Sequence, residues 1–328
     1  MVSEWVDAVF LQKIDFKAEK PLETHATIEV AEEKTSVQST NIPLEETTSL
    51  SSQEKTIEQA PLTQQIQKPP AQTKLEKAYG KAGRLVDAGQ YDKALVIYDK
   101  LLPNAQKTGN KGIETRIYFD KGYIYDVNRN FPAALENYNK AAKSASEAGD
   151  VKIQALSHYN MASIYDDFGK TDPALKHYYQ SIALDGQGEN LKGQTHTLND
   201  VGNVFASMKK YKTAMDNYQV GLSLTKETND LEGRAYIYGN MGSVLENTGK
   251  DGKALECYKK SVECDMKVGN LEGCAITYTL AGDVMSRNNF PEKAEKLYQK
   301  SLNVAQKLDD RDLSRKILDK LRKNSVSY

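Results

Sequence analysis

The sequence predicts an all-α fold, a right-handed solenoid of six helical hairpins closed by a C-terminal capping helix and preceded by a disordered N-terminal tail. Three observations predict it. Tyrosine recurs every forty residues at Tyr98, Tyr138, Tyr178, Tyr218, Tyr258 and Tyr298. Alanine keeps the same step at Ala94, Ala134, Ala174, Ala214, Ala254 and Ala294. Composition changes sharply near residue 75, since all 21 glycines and all 19 tyrosines lie beyond it. A fixed period of this length marks an array whose units bury their apolar faces only by stacking.

The tail comes first in the chain. Residues 1–75 hold five of the nine prolines, seven lysines, no arginine and twelve acids, a net charge of -5. From 17 to 75 the segment is acidic and rich in Ser, Thr, Gln and Pro. Too few apolar groups are present to offset chain entropy, so this stretch is expected to be disordered. Residues 1–16 differ. Val2, Trp5, Val6, Val9, Phe10 and Ile14 fall at helical spacing, with Glu4, Asp7 and Lys13 off the stripe. That pattern predicts a short amphipathic helix, marginal alone and in need of a partner surface.

The repeats follow, over 76–317, in windows of about 78–117, 118–157, 158–197, 198–237, 238–277 and 278–317. A third column holds only small residues: Ala82, Gly122, Ala162, Gly202, Gly242 and Gly282. A fourth is mostly bulky: Leu85, Tyr125, Tyr165, Phe205, Leu245 and Met285. A fifth is Asn or Asp, from Asn110 through Asp150, Asn190, Asp230 and Asn270 to Asp310, where a side chain can cap the next helix. The small residue and the bulky one three later share a face of a first helix. The Ala and the Tyr four later share a face of a second. The small residues are expected to let the two helices cross closely, opposite the alanines, with the tyrosine filling the gap between one hairpin and the next. Turns are signalled by Gly89, Gly169 and Gly249 within hairpins and by Gly109, Gly149 and Gly269 between them. At 312–324, Leu313, Ile317 and Leu321 make one apolar face and basic residues cover the rest, as a capping helix with a wet outer side requires.

The small residue, the aromatic and the motif Tyr91-x-x-Ala94-x-x-x-Tyr98 resemble the tetratricopeptide repeat family over about three-quarters of the chain. The family's common period is 34. The six extra residues are expected to lengthen both helices and the inter-repeat turn, a variant similar to the repeats of kinesin light chains, spindle-orientation adaptors and long-repeat bacterial regulators. Thr171, Asp251 and the early Phe290 depart from the motif, and the closing proline is missing.

In that family the first helices line a concave groove. The resemblance therefore implies a peptide-binding groove of Phe119, Tyr123, Asp126, Asn160, Asp166, Asn199, Asn203, Tyr236, Asn240, Glu246, Asp283 and Arg287, with Ser163, Asp167, Ser207 and Ser243 beside them. Spaced asparagines can both donate to and accept from a peptide backbone. Acids outnumber the one arginine, which favours a basic ligand. His158 and His196 are expected to be neighbours on adjacent first helices, without a third metal ligand.

The sequence carries no Gly-rich phosphate loop, HExxH or GxSxG, so no catalytic, cofactor-binding or metal site is expected and the chain is not an enzyme. A net charge of -1 gives no general pull toward nucleic acid or anionic membrane, and no apolar run is long enough to span a bilayer. The odd number of cysteines (Cys257, Cys264, Cys274) reads as free thiols in a reducing, cytoplasmic setting. The functional expectation is an adaptor or scaffold for protein or peptide partners, with residues 2–14 docking in cis to regulate the groove. The alternatives are a vesicle-fusion adaptor of the SNAP kind and a non-catalytic subunit of an enzyme complex.

Overall fold

A computed structural model of the chain describes residues 73–326. The amphipathic segment 1–16 and the acidic stretch from 17 to 72 lie outside the described residues. Thirteen helices make up the described chain. The hairpins pair α1 (Lys74–Asp87) with α2 (Tyr91–Lys107), α3 (Lys111–Val127) with α4 (Phe131–Ala148), and α5 (Val151–Asp167) with α6 (Thr171–Gln187). They continue as α7 (Leu191–Ser207) with α8 (Tyr211–Glu227), α9 (Leu231–Asn247) with α10 (Asp251–Val268), and α11 (Leu271–Arg287) with α12 (Pro291–Lys307). Helix α13 (Arg311–Val326) closes the stack.

The first helix begins inside the segment assigned to the tail. Thr73 and Glu76 form a capping box, each side chain bonded to the other's backbone N–H, and Leu75 already packs on the first core cluster. Later first helices start on the Asn/Asp column. Asn110, Asp150, Asn190, Asp230, Asn270 and Asp310 each accept a backbone N–H three residues on, at 2.9–3.2 Å. Each such cap is worth about 1 kcal/mol.

Every connection contains one left-handed residue, and these recur every twenty residues from Gly89 to Asp309. Six are glycine, where φ near +70° is unstrained. The other six are Arg129, Glu189, Lys209, Asn229, Asn289 and Asp309, which a search for glycine does not reveal. The turns between repeats are as short as those inside hairpins, so the six extra residues lengthen the helices alone. That corrects the expectation of a longer inter-repeat turn.

The tyrosine column is core: all six rings are 2% exposed or less, as are the six alanines. Their placement corrects the sequence reading. A methyl carbon on Gly122, Gly242 or Gly282 would lie 2.5–2.6 Å from the ring of Tyr138, Tyr258 or Tyr298, and one on Gly202 would overlap Tyr218 further still. The small residue therefore makes room for the tyrosine of its own hairpin, sixteen residues later, rather than for an alanine. The column is restricted to glycine and alanine because anything larger would meet the packed ring.

First helices touch their counterparts in neighbouring repeats, whereas second helices of neighbouring repeats stand farther apart. The stack is an α-solenoid bent with first helices on its inner side. At its end Ile317 is fully buried in the last cluster, Leu313 and Leu321 pack beside it, and Arg315, Lys316, Arg322 and Lys323 stay exposed. Helix α13 thus caps the array.

Candidate functional site

The inner face carries the columns from 116 to 127 and their forty-residue equivalents. Its floor is polar because each core tyrosine turns its hydroxyl toward it. Tyr138 donates to Asp126 (3.4 Å) and receives a hydrogen bond from Asn160. Tyr218 donates to Asn203 (2.7 Å), Tyr258 to Glu246 (2.8 Å) and Tyr298 to Asp283 (2.8 Å). Burial pushes the Tyr138, Tyr218, Tyr258 and Tyr298 hydroxyls well above the phenol range, so they remain donors.

A second layer of bonds links one first helix to the next. Tyr79 donates to Asp120 (2.8 Å), Tyr159 to Asp200 (2.7 Å), Asn240 to Asn199 (2.8 Å) and Arg287 to Glu246 (2.7 Å). All four span forty-one positions, one step off the repeat. Asp120 also accepts from Tyr98 (2.6 Å). Burial raises the Asp120 and Asp200 carboxyls, and the tyrosine hydrogen bonds oppose that rise. These two acids and Tyr79 and Tyr159 were not among the expected groove residues. Reading only the forty-residue step conceals a ladder that advances by forty-one.

The expected residues divide into three groups. Asn160, Asn199, Asn203 and Asn240 reach the inner face, but each already holds an intramolecular partner. Glu246 and Asp283 are neutralised. Arg287 bridges Glu246 and Asp251 at 2.7 and 2.8 Å, and Lys320 of α13 sits 2.7 Å from Asp283. Asp126 and Asp166 have no ion-pair partner among the described residues, and their carboxyls are raised by burial and by the nearby charge of Asp167. The unpaired acidity of these residues is thereby concentrated in the second and third hairpins.

Its apolar contribution is a row at one position of successive first helices. Leu156 is 38% exposed, Tyr236 49% and Ile276 44%, with exposed His196 between the first two. Tyr123 is 44% exposed on α3, while Phe119 is half-buried against the Tyr138 ring. Among the described residues no three His, Cys, Asp or Glu side chains gather as metal ligands would. No hydrogen bond or ring contact joins His158 to His196 among the described residues. The partner of His158 is His177 of its own hairpin, 3.0 Å away between Nδ1 atoms. Cys257, Cys264 and Cys274 are buried free thiols, raised by burial. No described helix is long and apolar enough to cross a membrane.

Family models described as tetratricopeptide repeat match residues 155–187 and 233–317. Those residues form tetratricopeptide repeats. Solved structures share the fold of these repeats. A signal transduction ATPase with numerous domains, carrying a tetratricopeptide repeat sensor, from Pyrococcus horikoshii aligns with TM-score 0.65 at 17% identity. That match covers 77% of this chain and 38% of the ATPase chain. Aspartyl phosphate phosphatase F from Bacillus subtilis aligns at TM-score 0.56 and 13% identity, over 76% of this chain and 70% of the phosphatase. BtubC from P. vanneervenii aligns at 0.52 and 15% identity, over 73% and 94%. Among curated proteins no relative matches the sequence.

Proposed function

We propose that the chain is a non-catalytic interaction scaffold, an adaptor of the cytoplasm, that holds a peptide segment of a partner protein along the inner face of its tetratricopeptide repeats. The observation that carries this reading is the exposed row of Leu156, Tyr236 and Ile276, with Tyr123 on the same helical face one repeat earlier, large apolar side chains left outside the core on the face where first helices converge. Beside them, Asp126, Asp166 and Asp167 have no ion-pair partner among the described residues, so a ligand with Lys or Arg over the second and third hairpins gains most. The neutralised fifth and sixth hairpins add nothing to that preference.

The test is capture by the full-length chain, followed by mass spectrometry, against the variant Tyr123→Ser plus Tyr236→Ser. Both side chains are exposed, so the variant should melt within about 0.5 kcal/mol of the parent. Partners held in the groove should be lost or weakened about tenfold or more, since exposed aromatics are common anchors. An unchanged set of partners at unchanged affinity would remove the groove from the account.

The apolar row also supports a role for residues 2–14. Trp5, Val6, Val9 and Phe10 recur at helical spacing in the sequence and offer the kind of surface that the row could receive. Fifty-six residues, 17 to 72, separate this segment from the first described residue. Deletion of residues 1–16 is expected to tighten partner binding, measured by titration calorimetry. Equal affinity with and without them assigns the segment to another task.

A further inference from the structure

In the third hairpin, α5 and α6 meet through two imidazoles. The Nδ1 atoms of His158 and His177 lie 3.0 Å apart, while their ring centroids are 5.2 Å apart and their planes differ by 23°. The centroid distance exceeds the nitrogen distance by about two ring radii, so the nitrogens point at each other head to head. Such a contact needs one donor and one acceptor. Gln180 hydrogen-bonds His177. One ring therefore presents a lone pair at Nδ1 and the other donates. The Tyr165 ring lies parallel to His177 within 7°, centroids 5.6 Å apart.

No other hairpin has this pair. The equivalent positions are Ala78 with Ile97, Tyr118 with Asn137, Leu198 with Asn217, Tyr238 with Cys257, and Tyr278 with Leu297. The groups facing the imidazoles carry no negative charge to offset a proton, and only the Gln180 hydrogen bond favours protonation of His177. On α6 the nearby charge is Lys176, which disfavours protonation of His177. On α4 the residue in the place from which Gln106 reaches Tyr118 is Ser146, which is neutral. On α5 the neighbour is Tyr165. No carboxylate is among the groups that act on either ring.

We propose that His158 and His177 form an acid-sensitive latch in the middle of the array. Neutral, the pair shares one proton and ties α5 to α6. A proton added at the accepting Nδ1 sets two N–H groups head to head and the hairpin opens. Helix α5 bears Tyr159 and Asn160, whose bonds to the neighbouring repeats hold the inner face together. Since repeats touch only their neighbours, opening the third hairpin separates the first two from the last three.

The direction of the pH effect follows from linkage. Burial and the charge of His177 hold His158 down to about 4, and burial with Lys176 lowers His177. The unfolded rings titrate near 6.5. The unfolded state therefore binds more protons, so this contribution to stability is present above about pH 6.5 and is lost as pH falls toward 4. Buried carboxyls act oppositely. Asp120, Asp126, Asp166, Asp185 and Asp200 are raised by burial, and Asp265 reaches about 6, so they favour the folded state on acidification. Only a comparison of variants isolates the histidines.

The experiment is hydrogen–deuterium exchange of the full chain at pH 7.5 and 5.0, corrected for intrinsic exchange. The comparison is His158→Leu with His177→Asn, the residues that the fourth hairpin carries. Relative to this variant, α5 and α6 of the parent should open on the order of tenfold more at pH 5.0 than at 7.5. Parallel pH dependence in the two proteins overturns the latch. If the variant fails to fold, nitrogen-detected NMR of the parent decides instead. Both rings titrating well below 6.5, with one of them protonated at Nδ1, supports it; ordinary titration of both overturns it.

Discussion

Replacing Tyr218 by alanine is expected to lower the unfolding free energy by about 3–5 kcal/mol, the range for emptying a large aromatic site in a packed core. The ring is 1% exposed and belongs to a cluster with Ala214, Ile237 and Met241. Its loss leaves a void over Gly202, which has no side chain with which to fill it. The hydroxyl's acceptor, Asn203, also loses its partner. Tyr218→Phe separates the two contributions, since it removes only the hydrogen bond and should lose about 1 kcal/mol. Urea unfolding monitored by circular dichroism provides the measurement, with midpoint and slope both reported, because arrays need not unfold in one step. An alanine variant as stable as the parent would mean that the tyrosine column does not hold the hairpins together.

The columns that predict the solenoid are legible in the sequence for a physical reason. Stacked units place the same demand on the same position in every copy, and Tyr98 to Tyr298 answer it six times. Periodicity does not say which column faces which. Tyr218 and Gly202 lie on different helices, and nothing in their spacing distinguishes a contact within one hairpin from a contact between two. The same limit hid the forty-one-residue ladder, in which Tyr159 reaches Asp200 and Asn240 reaches Asn199. It hid the charge pairing as well. Glu246 and Asp283 count as groove acids in the sequence, yet Arg287 and Lys320 come to them only through the curvature of the stack and the placement of α13. The left-handed turns at Arg129 and Lys209 were concealed because neither residue type advertises that conformation. Exposure of Tyr123 and Tyr236 on the inner face, by contrast, follows from helical phase once the columns are fixed.

The pairing of ring and glycine makes the second large prediction, and it is a coupling rather than a single loss. Gly202→Val should destabilise the chain by about 1–3 kcal/mol, because the added carbons occupy space already filled by the Tyr218 ring. Helix propensity alone would act the other way, since glycine is the poorest ordinary residue in a helix interior. Valine is the better probe than alanine, because Ala82 and Ala162 show that a single methyl is accommodated beside Tyr98 and Tyr178. Gly83, with nothing close to its missing side chain, is the control, and alanine there should be neutral or slightly stabilising. The decisive variant combines Gly202→Val with Tyr218→Ala. Valine then enters the void that the ring leaves, and the double variant should lose at least about 1 kcal/mol less than the sum of the two single losses. Strict additivity in that cycle would place the glycine and the tyrosine in separate environments. The small-residue column would then need another cause, such as close approach of the helix backbones.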